Sequence, residues 1–176
     1  MKKHSILLKI ILLSITVLSC KNDNVLLNYL NDNKYDFYLH LINDEITKEL
    51  INIANENNSI IDNKYTLYEN FIKNDNDILI GYCKINSLMD ETLLGYIVIQ
   101  KDGINIGQYI TKIEKIKDEI GFIISCHLNS EGSQILYEMT KNNIGKGLAI
   151  VFKNKVVSFP TIRVPVQNFI NIWVDE

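Results

Sequence analysis

The sequence predicts an α+β fold in which strands outnumber helices, and three observations carry that expectation. Short apolar stretches with period-2 alternation recur along the chain, around residues 37–41, 60–68, 78–85, 93–100 and 122–128. Helical spacing is confined to fewer segments, chiefly 44–57 and the stretch between the Asn129 or Ser130 cap and Gly145. Finally, residues 128–160 read as one packed unit, a capped helix followed by a glycine stop and a β-hairpin.

In chain order, residues 21–33 are polar and asparagine-rich around Val25, Leu26 and Leu27, and read as a tether. Residues 37–41 form a strand with Phe37, Leu39 and Leu41 on one face. Asp44 then caps a helix through Asn57, whose Ile46, Leu50, Ile53 and Ala54 share a side. The run Asn57, Asn58, Ser59 breaks it, and strands follow at 60–68, 78–85 and 93–100, with a turn at Asp102 and Gly103. Between 110 and 120 two readings stay open. Ile110, Ile113, Ile116 and Ile120 suit a short helix, but the neighbouring segments are strand-rich. The 22 asparagines are read as compositional bias, because apolar periodicity survives throughout.

The unit at 128–160 is the most specific. Asn129 or Ser130 caps its helix, the side-chain oxygen accepting a first-turn N–H. Ile135, Leu136 and Met139 make an apolar stripe. Gly145 is expected at the C′ position, where a left-handed backbone suits glycine. Residues 148–152 then form a strand, Lys153 and Asn154 a tight turn, and Val156, Val157 and Ser158 the return strand.

The order of these residues resembles the periplasmic head subdomain of SecD, a membrane protein that assists bacterial protein export. The matching positions are Leu128, Asn129, Glu131, Gly132, Thr140, Asn143, Gly145, Lys146, Leu148 to Val151, Lys155 to Ser158, Pro160 and Ile162. A thinner match reaches upstream through Gly107, Ile110 and Asp118, so the resemblance covers about residues 105–165. It implies a SecD-head-like mixed sheet with packed helices over 101–176, preceded by an α/β region at 35–100 equivalent to a small β-α-β base. Phe159 stands where the family has a small residue, Leu136 replaces a phenylalanine, and Gln167, Asn168 and Phe169 replace a glycine-rich segment. The family's membrane-spanning helices have no counterpart in these 176 residues.

At the N-terminus, Lys2, Lys3 and Lys9 accompany an apolar run from Ile6 to Leu18, shorter than the roughly 20 residues a bilayer core requires. Val17, Leu18, Ser19 and Cys20 fit a lipobox, so residues 1–19 read as a lipoprotein signal peptide and 20–34 as a lipidated tether. The bland alternative is an ordinary cleaved signal or short anchor. Cleavage leaves 157 residues, and loss of the three lysines moves the formal charge from −3 to −6. An acidic chain argues against nucleic acid as a partner. Cys83 and Cys126 remain, either as buried thiols or as a disulfide in an oxidising envelope.

Catalytic constellations are sparse. His40 and His127 are isolated, and neither has metal-ligand spacing to a second His or Cys. His127 adjoins Cys126, but neighbours in a strand face opposite sides. Gly145, Lys146 and Gly147 lack the rest of a phosphate loop, and Asp44–Glu45 and Asp118–Glu119 read as caps or solvated turns. No cofactor, metal or enzymatic activity is therefore expected. Gly132, Thr140, Asn143, Gly145, Lys146, Ser158 and Pro160 read mainly as structural positions. The resemblance implies binding of unfolded or translocating polypeptide beside Sec translocon components. An exposed strand edge or apolar groove would serve, with the 148–159 hairpin and the side chains Phe152, Phe159 and Trp173 as expected contacts. The expected place is the bacterial envelope, lipid-anchored on the periplasmic side of the inner or outer membrane. A second class, an interaction or structural lipoprotein that keeps the head fold without an export role, stays open.

Overall fold

Alternation of apolar and polar side chains resolves into nine strands among the residues that the computed structural model describes, 26–49, 75–85, 91–117 and 121–174. They are β1 (Phe37–Leu41), β2 (Asp77–Ile85), β3 (Glu91–Gln100), β4 (Ile104–Asn105), β5 (Ile110–Lys117), β6 (Phe122–Leu128), β7 (Leu148–Phe152), β8 (Lys155–Ser158) and β9 (Phe169–Val174). The helix α1 spans Ser130–Lys141, and residues 26–32 and 44–49 are also helical. The fold is α+β, a mixed sheet with packed helices.

The strands divide into a six-stranded sheet, β3-β2-β8-β7-β1-β4, and a three-stranded sheet, β5-β6-β9. All pairings are antiparallel except β2 with β8, which meet at Tyr82 and Val156. The larger sheet curls until its ends meet. Ile42 bridges Ile99 of β3, and the Asn43 N–H donates to the Val98 carbonyl at 2.9 Å. Thr47 completes the seam, its hydroxyl accepting from the Val98 N–H at 3.1 Å. The sheet is thus a partly closed barrel. It crosses the expected 100/101 boundary, since β1, β2 and β3 pair into one sheet with β4, β7 and β8.

The main core lies between the barrel and the smaller sheet. Phe37, Leu39, Leu148, Ile150 and Phe152 face Ile113, Phe122, Ile124, Cys126, Ile170, Ile172 and Val174. A second cluster fills the barrel interior, with Ile42, Ile97, Ile99, Ala149, Val151 and Val156 buried and Ile80 and Tyr82 packed against them. Every residue of β7 is buried, because it contributes to both clusters.

Several sequence expectations are corrected. The tether reading fails for residues 26–32, where Leu26 and Leu30 are buried in the main core and Leu27 and Tyr29 pack against it. Asn43, not Asp44, caps the helix at 44–49, its Oδ1 accepting from the Ile46 N–H; the Asp44 carboxylate accepts from the Gly147 N–H. The 110–120 ambiguity resolves as a strand. A bulge at Thr111 turns both Ile110 and Ile113 inward, which produced the helix-like spacing. The helix expected at 50–57 and the strand at 60–68 lie outside the described residues, as do Ile120 and Asp118.

Asn129 is the α1 cap, accepting from the Gly132 N–H at 2.9 Å. Gly145 has φ +90°, but it sits beyond the helix, which ends at Asn142. Its N–H donates to the Ile162 carbonyl, so it shapes a turn after α1 and is not the C′ residue. Lys153 and Asn154 both have positive φ, 46° and 60°, as a tight hairpin turn demands. Gly132 is needed for space, since a Cβ there would lie 2.3 Å from the Tyr109 Cβ. Gly132→Ala is expected to destabilise the fold by about 1–3 kcal/mol, read as a lowered denaturation midpoint. Combining it with Tyr109→Gly, which removes the opposing Cβ, should recover part of the loss.

Candidate functional site

The site grows from the end of α1. Thr140 is fully buried and its hydroxyl works in both directions. It donates to the Leu136 carbonyl at 2.8 Å and accepts from the Val166 N–H at 2.8 Å, tying α1 to the strap between β8 and β9. Asn143 donates to the Met139 carbonyl at 2.8 Å and accepts from the Lys146 ammonium at 3.0 Å. The strap is held from its other side by Gly145 and Lys146, which exchange backbone bonds with Ile162, and by Pro160, whose carbonyl accepts from the Leu148 N–H. These bonds satisfy carbonyls at the helix C-terminus and fix the strap's path.

The strap, α1, β7 and β9 enclose an apolar cleft of about 210 Å³. Leu136, Leu148, Ile150, Pro160 and Val166 wall it, and Phe169, Ile170 and Asn171 bring the β9 backbone to its border. The Leu128 N–H donates to the Asn168 carbonyl at 2.8 Å, which sets the hydrogen-bonding phase of the β6–β9 pair. Since antiparallel bonding alternates with period 2, Ile170, Ile172 and Val174 bond β6. The N–H and C=O groups of Asn171 and Trp173 therefore face away from β6, and β9 ends the sheet among the described residues.

The two edges of this sheet differ in their protection. The β5 edge carries a bulge and the charged residues Lys112, Glu114, Lys115 and Lys117, devices that discourage strand addition. The β9 edge, Phe-Ile-Asn-Ile-Trp-Val, has no charge, proline or bulge.

Comparison with known proteins places this geometry. Residues 86–172 match the family model for the SecDF P1 head subdomain. The protein translocase subunit SecD of Rickettsia bellii is 41% identical over 75 residues, 42% of this chain and 15% of that protein. Over this stretch the chain is similar to the SecD periplasmic head. The SecD of Treponema pallidum is similar over a longer stretch, 26% identical over 129 residues, covering 72% of this chain and 22% of that protein. The match to these curated SecD relatives thus spans less than a quarter of their length. Among solved structures, a SecDF described as a membrane component that enhances protein export aligns with a TM-score of 0.43 at 18% identity, covering 80% of this chain and 56% of that one.

The positions read as mainly structural lie as follows: Gly132 packs the start of α1 against Tyr109; Thr140, Asn143, Gly145, Lys146 and Pro160 tie the end of α1 to the strap and β7; and Ser158 ends β8 opposite Ile150. The three expected contacts fare differently. Phe152 is 3% exposed, its ring against Phe37 and Tyr29, so it is a core residue and not a surface contact. Phe159 is 42% exposed, with its ring edge-on to Tyr82 at 4.6 Å. Trp173 is 55% exposed on the outer face of β9, in one cross-strand row with Ile123 and Ile116. The hairpin β7–β8 is corrected as a free edge: β1 pairs with β7 along its length, and β8 meets β2. Cys20 lies outside the described residues.

Cys83 and Cys126 are unpaired buried thiols; burial pushes Cys126 up to about 12 and raises Cys83, with Lys155 drawing the latter back. Among the described residues no group of three His, Cys, Asp or Glu side chains is placed to hold a metal ion, and no helix is long and apolar enough to cross a membrane.

One cluster escaped sequence reasoning. On the outer face of β5–β6, Glu114 accepts from Lys112 and lies 2.5 Å from His127 Nε2. Strand alternation through residues 112–116 was the available signal, obscured by the open helix reading. The hydrogen bonds from Lys112 and then His127 hold the Glu114 carboxyl below the usual carboxylate range. The interaction is present above the ordinary Glu pKa and is lost as pH falls through the depressed folded value. Carboxyl-carbon NMR is expected to give a Glu114 midpoint below that of an unpaired glutamate, with Lys112→Ala raising it more than His127→Gln.

Proposed function

We propose that this protein is a lipid-anchored envelope module that binds extended polypeptide and assists protein export. The uncharged β9 edge, unpaired among the described residues and beside an apolar cleft, carries the reading. A free strand edge offers main-chain hydrogen bonds of fixed spacing that any extended chain satisfies, so recognition needs little sequence preference. A segment added to β9 would bond Asn171 and Trp173. Its side chains opposite Ile170 and Ile172 would enter the cleft, and the alternate ones would lie beside Phe169 and Trp173 on the outer face. Extended segments with apolar residues at alternate positions are therefore the preferred clients. The SecD names of the relatives support placing this binding beside the translocon, on the periplasmic side. The chemistry is binding without catalysis.

Anchoring rests on the lipobox ending at Cys20. One acyl group gives marginal membrane binding and several give stable anchoring, so the module would stay at the surface where precursors emerge. Metabolic labelling with an alkyne palmitate is expected to tag the wild-type protein in membranes and to leave Cys20→Ser unlabelled and released.

The binding site is tested by photo-crosslinking in cells from positions 171 and 173. Adducts with secretory precursors that increase when export stalls are expected. With the probe at 173, Asn171→Pro should abolish them while leaving thermal stability close to wild type, because the lost N–H faces away from β6. Ile172→Pro, which removes a ladder bond, should unfold the sheet. A single adduct with one folded envelope protein would favour the interaction-lipoprotein reading instead.

A further inference from the structure

A cavity larger than the β9 cleft belongs to a different surface. It measures about 420 Å³, within the range of small-ligand pockets, and opens at the end of the barrel where β1, β2, β3 and the β7–β8 turn converge. Its existence follows from the strand pairing. β2 and β8 run parallel from the Tyr82–Val156 pair, and β8 starts only at Lys155, so among the described residues the Ile78 and Ile80 end of β2 has no strand paired on that side. A slot remains, leading into the barrel's apolar interior.

The walls and the mouth of this slot differ in chemistry. Ile78, Ile80, Ile99 and Val151 supply apolar walls. At the mouth stand Tyr38, His40, Lys101 and Asn154, and no carboxylate lines the cavity among the described residues. The Tyr38 hydroxyl accepts from the Asn105 amide at 3.2 Å, which leaves its own proton to donate. His40 is locked across the break between β3 and β4: its Nδ1 lies 2.8 Å from the Gln100 carbonyl and its ring covers Gly103, where a Cβ would lie 2.0 Å from it. The Lys101 ammonium stands beside these donors.

We propose that this slot binds a single-chain amphiphile with an anionic head, a medium-chain fatty carboxylate, with the alkyl chain among Ile78, Ile80, Ile99 and Val151 and the carboxylate at Lys101 and Tyr38. Charge complementarity selects the head, since a cation and a neutral donor meet there without an opposing carboxylate. The apolar interior selects the chain. A cationic head would leave the Lys101 charge unmatched and set a second cation beside it. The site is separate from the β9 edge, so it stands whether or not polypeptide binds there.

Isothermal titration of the full chain with decanoate, decanol and decyltrimethylammonium, each below its aggregation concentration, tests the assignment. Saturable 1:1 binding in the order decanoate, decanol, decyltrimethylammonium is expected. Lys101→Glu should weaken decanoate by at least about tenfold and leave decanol nearly unchanged. Ile78→Trp, which narrows the slot at a half-exposed position, should weaken both. Absence of saturable decanoate binding would overturn the proposal, as would affinity independent of the head group. So would decanoate binding that Lys101→Glu and Ile78→Trp leave intact in folded protein.

Discussion

Closure of the six-stranded sheet is the constraint on which the rest of the molecule depends. β1 pairs with β7 on one side and meets β4 and the end of β3 on the other, so it has no spare edge. The Ile42–Ile99 bridge and the Asn43 and Thr47 bonds to Val98 occupy backbone groups that an open sheet would expose. Unpaired strand edges are therefore left mainly in the three-stranded sheet. There the lysine-rich, bulged β5 is guarded and β9 is not. Closure also makes two interiors from one sheet, a main core on its outer face and a smaller apolar chamber inside the barrel.

Within that frame, Thr140 links fold and site. It is buried at no exposure, and its hydroxyl joins a helix carbonyl to the Val166 N–H. Losing such a group would leave the part-buried Val166 N–H without this partner, a cost of at most about 1–3 kcal/mol. The same bond places Val166 on the cleft beside β9. Residues that look purely structural thus shape a binding surface, by setting how far the strap stands from β9. Gly145 and Pro160 act in the same way, through bonds to Ile162 and Leu148.

Local signals were the legible ones. The Asn129 cap, the Lys153–Asn154 turn and the strands at 37–41, 78–85, 93–100 and 148–152 could be read because each depends on neighbours within a few residues. Errors arose where distant parts of the chain decide the outcome. Residues 26–32 looked like a tether because Leu26 and Leu30 are few, yet they are buried against Phe37 and Ile124. Phe152 looked available for contact, but β7 is covered on both faces. The bulge at Thr111 was hidden for the same reason, since only pairing with β6 shows which isoleucines turn inward.

The sequence by itself determined the α+β class, the helix–turn–hairpin unit and its SecD-head likeness, because these rest on capping, turn chemistry and alternation encoded at short range. Only the tertiary structure decided which strand edges stay open, that residues before and after 100 share one sheet, and that a slot enters the barrel. Strand order is a matter of partners far apart in the chain. Exposure of an edge is set by what failed to pair with it, and no local pattern carries that information.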